Sequence, residues 1–191
     1  MAELRVYFHF RSPYSRIGLH HIARAGLEKK HALSLHVFTA PAGGAAFLNP
    51  TDSKPKLRYI MEDAPRMTMR AGLPIMPPLR PEPDYGAAIA AFHVAREYGA
   101  GLPFALAVSD ARWGKAEDIA DPDVLQTCAA QAGLPSGADL TAAPAGAMAA
   151  DEAAVEQDGA FGVPFAVLDE GGSKQKFWGQ DRFELLVELA G

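Results

Sequence analysis

The segment that decides the fold is Leu4-Arg-Val-Tyr-Phe-His-Phe-Arg-Ser-Pro-Tyr-Ser-Arg-Ile-Gly18. Its first half places apolar residues at a period of two, which predicts a β-strand beside the core. Ser12 then stands where a helix N-cap belongs, and Pro13 takes the first helical position, where no amide donor is needed. Such a junction directs free N–H groups, the Ser12 and Ser15 hydroxyls and the positive helix end at one spot, which suits a thiolate or a carboxylate.

For an isolated Ser-Pro pair an ordinary helix cap is the more common explanation, so a ligand site at Ser12 has to be supported by the rest of the chain. The pattern continues as strand, helix, strand, then a helical block, then strand, strand, helix. The first of these helices is predicted over 15–30 and the second strand over 32–39, with a long loop over 40–55. The later predicted helices cover 56–71 with a kink at Pro65, then 85–98, 103–113, 121–132 and 145–158.

The end of the chain returns to strands, predicted over 164–168 and 176–178, and a final helix over 182–189 capped by Asp181, with Leu189 on its inner face. This order predicts an α/β protein, a thioredoxin fold with an all-helical insertion. The thioredoxin-like parts are residues 1–55 and 159–191, and the helical insertion is 56–158.

Composition narrows the possible partners of the chain. It has 191 residues, 49% hydrophobic, with a formal net charge of −5, which argues against a nucleic-acid partner. No run is long enough to cross a membrane and no leader peptide is evident, so a cytoplasmic location is expected. The six histidines show no metal-ligand spacing, and no metal is predicted. The one cysteine, Cys128, lies among apolar residues and is expected to be a buried thiol.

The position that carries a reactive Cys-X-X-Cys in many thioredoxin folds here reads Ser12-Pro-Tyr-Ser15. Disulfide exchange therefore has no nucleophile in the protein. If thiol chemistry occurs at this spot, the thiol must come from outside, and glutathione is the obvious source. A second signal is Val163-Pro164, a candidate cis peptide facing this spot, although a trans proline at a strand start is the ordinary alternative.

Several segments together resemble the 2-hydroxychromene-2-carboxylate isomerases and the related kappa-class glutathione transferases. Three terminal motifs carry this resemblance: Phe10-Arg-Ser-Pro-Tyr-Ser-Arg-Ile-Gly18, Gly159-Ala-Phe-Gly-Val-Pro164 and Phe177-Trp-Gly-Gln-Asp-Arg-Phe-Glu-Leu-Leu186. Two internal segments also fit: Lys56-Leu-Arg-Tyr-Ile-Met-Glu-Asp63 and Arg112-Trp-Gly-Lys-Ala-Glu-Asp-Ile119. The resemblance implies a DsbA-like thioredoxin fold, a homodimer, and glutathione bound at the first helix N-terminus.

The resemblance also implies roles for individual residues. Ser12 matches the catalytic serine that hydrogen-bonds the glutathione sulfur, and Val163 before Pro164 matches the residue whose backbone pairs with the cysteinyl part. Gln180 and Asp181 match the positions that hold the γ-glutamyl end.

Two further cofactor positions and two departures complete the prediction. Lys56 matches a lysine near glutathione, and Asn49 is chosen as the loop asparagine of the family. His9 stands where an acidic residue is common, and Arg11 precedes the serine where an apolar residue is frequent. The Arg11 guanidinium either binds a thiolate or substrate carboxylate or points to solvent, and Tyr14 is the other candidate substrate contact.

These expectations define three hypotheses. In the first, the protein is a glutathione-dependent isomerase that acts on 2-hydroxychromene-2-carboxylate or a similar aromatic keto acid by reversible thiolate addition. In the second, it is a kappa-class-like transferase that releases the glutathione conjugate. In the third, it is a non-catalytic thioredoxin-fold binding module.

Overall fold

A computed structural model describes residues 2–46 and 52–191 of the chain. The N-terminal elements are β1 (Glu3–Phe8), α1 (Pro13–Ala25), α2 (Leu27–Lys30) and β2 (Ala32–Val37). The helical elements are α3 (Lys54–Arg70), α4 (Gly86–Glu97), α5 (Gly101–Gly114), α6 (Pro122–Gln131) and α7 (Ala147–Asp158). The chain ends with β3 (Phe165–Asp169), β4 (Lys174–Trp178) and α8 (Arg182–Ala190).

The four strands form one sheet in the order β2-β1-β3-β4. β1 pairs in parallel with β2, Val6 opposite Leu35, and antiparallel with β3, Val6 opposite Ala166. The two ends of the chain therefore share a sheet, and β1 lies in its interior. The predicted α/β fold, a thioredoxin fold of the DsbA-like kind with a helical insertion, is confirmed.

Each face of β1 is buried against a different layer. Leu4, Val6 and Phe8 join the larger core, in which the Phe8 ring meets Phe92 of α4 edge to face at 5.0 Å. Tyr7 points to the other face, into the smaller core under α7. The helical insertion is thus part of the core beside β1.

α7 is attached to the sheet by two buried carboxylates that the sequence did not reveal. Asp158 accepts hydrogen bonds from Arg5 Nε at 2.6 Å and Tyr7 Oη at 2.7 Å. Asp151 accepts from the Val37 amide at 2.9 Å and from Arg96 Nη1 at 2.7 Å. These hydrogen bonds lower the pKa of both carboxyl groups against the opposing effect of burial.

Two local predictions differ from the structure. The predicted helix 15–30 is two helices, because Gly26 adopts a left-handed conformation with φ of 62° and ends α1. Asp181 precedes α8 as predicted, but its side chain makes no capping hydrogen bond. α3 runs from Lys54 to Arg70 as one helix with Pro65 inside it.

The inner face of α8 also differs from the prediction. Leu189 is 50% exposed, whereas Ala190, one residue later, is buried with Phe183 and Leu186. Among residues 2–46 and 52–191, no helix has the length and apolar character needed to cross a bilayer.

The contact between α1, α8 and the β3 entry gives a test of packing. A Cβ added at Gly18 would lie 3.0 Å from two ring carbons of Phe183 and 3.3 Å from Pro164 Cβ. Both neighbours are buried, so we expect Gly18→Ala to lower the free energy of unfolding by about 1–2 kcal/mol, despite the better helix propensity of alanine.

Urea unfolding measures this effect, and Gly101→Ala is the matched control. At Gly101, in the first position of α5, the added Cβ would meet Phe92 at an ordinary 3.7 Å. We expect the control to be neutral or slightly stabilising. Equal stabilities of the two variants would contradict the tight packing at Gly18.

Candidate functional site

The turn between β1 and α1 fixes the orientation of Ser12. The Ser12 amide donates to His9 O at 3.0 Å, which closes a four-residue turn, and Ser12 Oγ accepts from the Ser15 amide at 3.1 Å. The predicted N-cap is therefore confirmed. Since the Ser12 oxygen acts as the acceptor in this cap, its own proton remains available for a ligand at the helix N-terminus.

The donors around Ser12 come from the first turn of α1. Ser15 is buried, and its hydroxyl oxygen accepts from the His9 amide at 3.4 Å, which, as at Ser12, leaves its own proton uncommitted. Pro13 has no amide proton, and the Ser15 amide is held by Ser12. In the first turn this leaves the Tyr14 amide to face an anion.

His9 is a neutral imidazole at the base of the turn. Burial, and then the Arg11 guanidinium, lower its pKa to about 4, while Glu82 acts in the opposite direction. His9 Nδ1 accepts from the Arg11 amide at 3.0 Å, so the ring proton is on Nε2. His9 therefore brings no charge to the turn near neutral pH.

The predicted cis peptide is present between Val163 and Pro164. Pro164 packs against α1 at Gly18, and its carbonyl accepts from the Gly179 amide at 2.9 Å. Within the described part of the chain, the Val163 amide and carbonyl have no hydrogen-bond partner. They are therefore available to a ligand, as the pairing with a cysteinyl backbone requires.

Gln180 and Asp181 follow β4 and have different environments. Gln180 is buried and lines a groove of about 170 Å³ between α1, α3 and α8, together with Arg24 and Glu184. Asp181 is exposed, and its carboxylate accepts from Arg182 Nη1 at 2.9 Å. An ammonium group that binds Asp181 would therefore share it with Arg182.

Tyr14 and Lys56 lie on facing helices. Tyr14 Oη donates to Asp63 Oδ2 of α3 at 2.8 Å, so its hydroxyl joins α1 to α3. Burial and Asp63 raise the pKa of Tyr14. Lys56 is exposed one turn inside the start of α3, seven residues before Asp63, or about 10 Å along the helix axis. Asn49 lies outside the described residues.

Aromatic side chains flank the cis-proline loop. Phe161 and Trp178 are 53% and 56% exposed, and their rings meet at an angle of 61° with centroids 4.8 Å apart. Gly162 makes this possible, because a Cβ there would lie 3.0 Å from Trp178 Nε1. The pair offers an aromatic surface next to Val163.

A charged cluster near the turn was missed by sequence reasoning. Arg112 of α5 is fully buried, its guanidinium lies over the Trp113 ring at 4.7 Å, and Glu82 Oε1 is 3.7 Å from its Nη2. The same Glu82 oxygen lies 3.8 Å from Arg11 Nε.

The sequence signal that could have predicted the burial of Arg112 is helical spacing. Arg112 follows the core residues Phe104 and Val108 at four-residue intervals.

Among residues 2–46 and 52–191, no group of three or more His, Cys, Asp and Glu side chains is arranged to hold a metal ion. Cys128 is buried as expected, and burial raises the pKa of its thiol to about 11.

Comparison with known proteins agrees with the fold. The family model for DSBA-like thioredoxin domains matches residues 3–190. No curated protein matches the chain in sequence. A 2-hydroxychromene-2-carboxylate isomerase structure superposes with a TM-score of 0.70 at 20% identity, covering 98% of this chain and 93% of that one.

Two oxidoreductases have a similar structure. A probable DsbA oxidoreductase from Streptomyces coelicolor has a TM-score of 0.72 at 20% identity, with 100% of this chain and 90% of that one covered. The cytosolic disulfide reductase DsbM from Pseudomonas aeruginosa has a TM-score of 0.69 at 19% identity, with 98% and 97% covered. A structure of DsbM with glutathione superposes with a TM-score of 0.62.

The environment of His9 predicts a pH dependence of stability. The unfolded chain protonates His9 near its ordinary pKa of 6.5, whereas the native protein does so only at about 4. Unfolding therefore takes up a proton between these values, and stability falls as the pH drops. We expect His9 to account for a loss of about 2 kcal/mol between about pH 6.5 and about pH 4.5.

Urea unfolding of the wild type and of His9→Asn over this pH range measures the contribution. Asparagine keeps an acceptor for the Arg11 amide but does not titrate. His21 and His93, whose pKa values are also lowered, contribute equally to both proteins, so the difference isolates His9. Identical pH slopes would show that His9 titrates normally.

Proposed function

This chain belongs to the family of DSBA-like thioredoxin domains, and we propose that it is a glutathione-dependent isomerase of 2-hydroxychromene-2-carboxylate or a similar aromatic keto acid. The observation that carries the proposal is the orientation of Ser12, whose hydroxyl proton is free at the N-terminus of α1. Residues 12 and 15 are both serine, so this position can stabilise a thiolate but cannot supply one.

The protein has no alternative thiol of its own for this chemistry. Cys128 is 2% exposed, and its raised pKa keeps it protonated. Disulfide exchange of the kind catalysed by a Cys-X-X-Cys motif is therefore absent from the proposed function. An external thiol is consistent with the DsbM structure that contains glutathione.

The residues present fit such a ligand. The Ser12 hydroxyl and the Tyr14 amide donate toward the position of a sulfur, and the unpaired Val163 backbone groups suit a peptide-like cysteinyl unit. Gln180 and Asp181 provide an amide and a carboxylate for the γ-glutamyl end. When bound, glutathione supplies a thiolate that adds reversibly to a conjugated double bond, which allows rotation about it.

We further propose an aromatic contact for the substrate, a cellular location and an oligomeric state. Phe161 and Trp178 offer a surface on which an aromatic acid can stack. A cytoplasmic location would supply reduced glutathione, and DsbM is a cytosolic protein. We also propose a homodimer; α3 exposes the apolar side chains of Tyr59, Met61 and Met69, which suit a contact with a second copy.

Glutathione binding is the first test of the proposal. In a calorimetric titration with reduced glutathione, we expect saturable binding that Asp181→Ala weakens about tenfold, because one charge-assisted hydrogen bond to the ammonium group is lost. Glu188→Ala, an exposed acid on the same helix, is the matched control and should bind as the wild type does. If the wild type does not bind glutathione, the proposed thiolate chemistry is wrong, and so is the assignment as an isomerase.

Ser12→Ala tests the catalytic role. We expect turnover to fall about 10²–10³-fold with little change in glutathione affinity, because one donor to the reacting sulfur is removed. The variant also loses a helix cap, so Asp121→Ala, which removes the cap of α6, controls for stability. Unchanged turnover in Ser12→Ala would contradict the role assigned to its hydroxyl.

The same assay separates isomerisation from conjugation. An isomerase leaves the total free thiol constant while the substrate is consumed, whereas a transferase consumes one thiol for each product formed. We expect the total concentration of free thiol to stay constant. Glutathione binding without either reaction would favour the non-catalytic module.

A further inference from the structure

Arg112 is a buried guanidinium whose hydrogen bonds are unmet. It is 0% exposed, and its Nε, Nη1 and Nη2 atoms make no hydrogen bond of good geometry within the described part of the chain, although the Tyr85 hydroxyl is close enough to interact with the guanidinium. Its plane lies over the Trp113 ring at 4.7 Å, which stabilises the charge but accepts none of its five protons. Leaving such a group unpaired in the interior is costly, so this arrangement favours any planar acceptor that reaches it.

The nearest carboxylate contacts Arg112 only loosely. Glu82 Oε1 lies 3.7 Å from Arg112 Nη2 and 3.8 Å from Arg11 Nε, both beyond hydrogen-bonding distance, and it accepts a hydrogen bond from Tyr85. Arg112 and Arg11 both lie near this one carboxylate, while His9 and Tyr85 remain neutral near pH 7. The formal charges of these five side chains sum to +1, which favours the approach of an anion.

The cluster is joined to the turn that carries Ser12. Trp113 Nε1 donates to Phe10 O at 3.0 Å, two residues before Ser12. The His9 ring meets the Tyr85 ring edge to face, with centroids 5.0 Å apart. The unmet guanidinium thus belongs to the wall behind the proposed reaction site.

We propose that Arg112 binds the carboxylate of a small aromatic acid, and that Glu82 holds this position in the ligand-free protein. The proposal rests on the proposed function for the identity of this acid as the substrate, and it moves substrate recognition from Arg11 to Arg112. A carboxylate offers two oxygens to the guanidinium fork, so two parallel hydrogen bonds replace the loose contact with Glu82.

Glu82 is suited to leave when the acid arrives. Its side chain is 48% exposed, and it lies in the proline-rich connector between α3 and α4, outside any helix or strand. Arg112 itself is closed to solvent, and the acid would take the place of the Glu82 carboxylate beside it. Glu82 is thereby an internal competitor, and removing its charge should tighten binding of an acid.

Calorimetric titration of the unmodified protein and of its single variants tests this proposal without glutathione. Benzoate is the probe, and benzamide is its uncharged counterpart. We expect Arg112→Gln to weaken benzoate binding at least tenfold and Glu82→Gln to tighten it about fivefold, with benzamide binding unchanged in both.

The opposite directions of the two variants separate a binding site from a structural ion pair. Arg58→Gln, which removes an exposed guanidinium on α3, controls for net charge and should bind benzoate as its parent does. Benzoate binding that is absent, or unaltered by Glu82→Gln, would overturn the proposal even if Arg112→Gln is unstable. If benzoate binds as described but glutathione does not bind, the carboxylate site at Arg112 is supported and the proposed isomerase function is contradicted.

Discussion

The position of β1 inside the sheet is the constraint on which the rest of the structure depends. It pairs with β2 on one edge and β3 on the other, and its two faces lie in two different cores. Burying side chains such as Leu4 or Phe8 contributes roughly 1.5–3 kcal/mol each, so the register of this strand is strongly favoured. Because only four residues lie between the end of β1 at Phe8 and the start of α1 at Pro13, the same packing fixes the position of Ser12.

Much of the fold and of the candidate site could be predicted from the sequence, because these features depend on residues that are adjacent in the chain. The period-two pattern of β1, the cap at Ser12, the proline-rich connector and the final hairpin each carry their signal in a few adjacent residues. The cis Val163-Pro164 bond was predicted from its place in the fold and is present.

What sequence reasoning missed depends on side-chain pairings that a local pattern does not specify. Asp181 pairs with Arg182 instead of capping α8. Arg112 sits within an apolar helix face, where a charge makes sense only once Trp113 and Glu82 are known to surround it. Such pairings join residues far apart in the chain, or they compete with another local hydrogen bond of similar strength. No short sequence pattern therefore predicts them.

The antiparallel pairing of β1 with β3 has a consequence for synthesis. β1 leaves the ribosome before β3, and the whole helical insertion lies between them in the chain. Until then one edge of an apolar strand stays open, which is the feature that promotes association between nascent chains. The helices made in between pack on one face of β1. They would cover this part of the strand until β3 is synthesised.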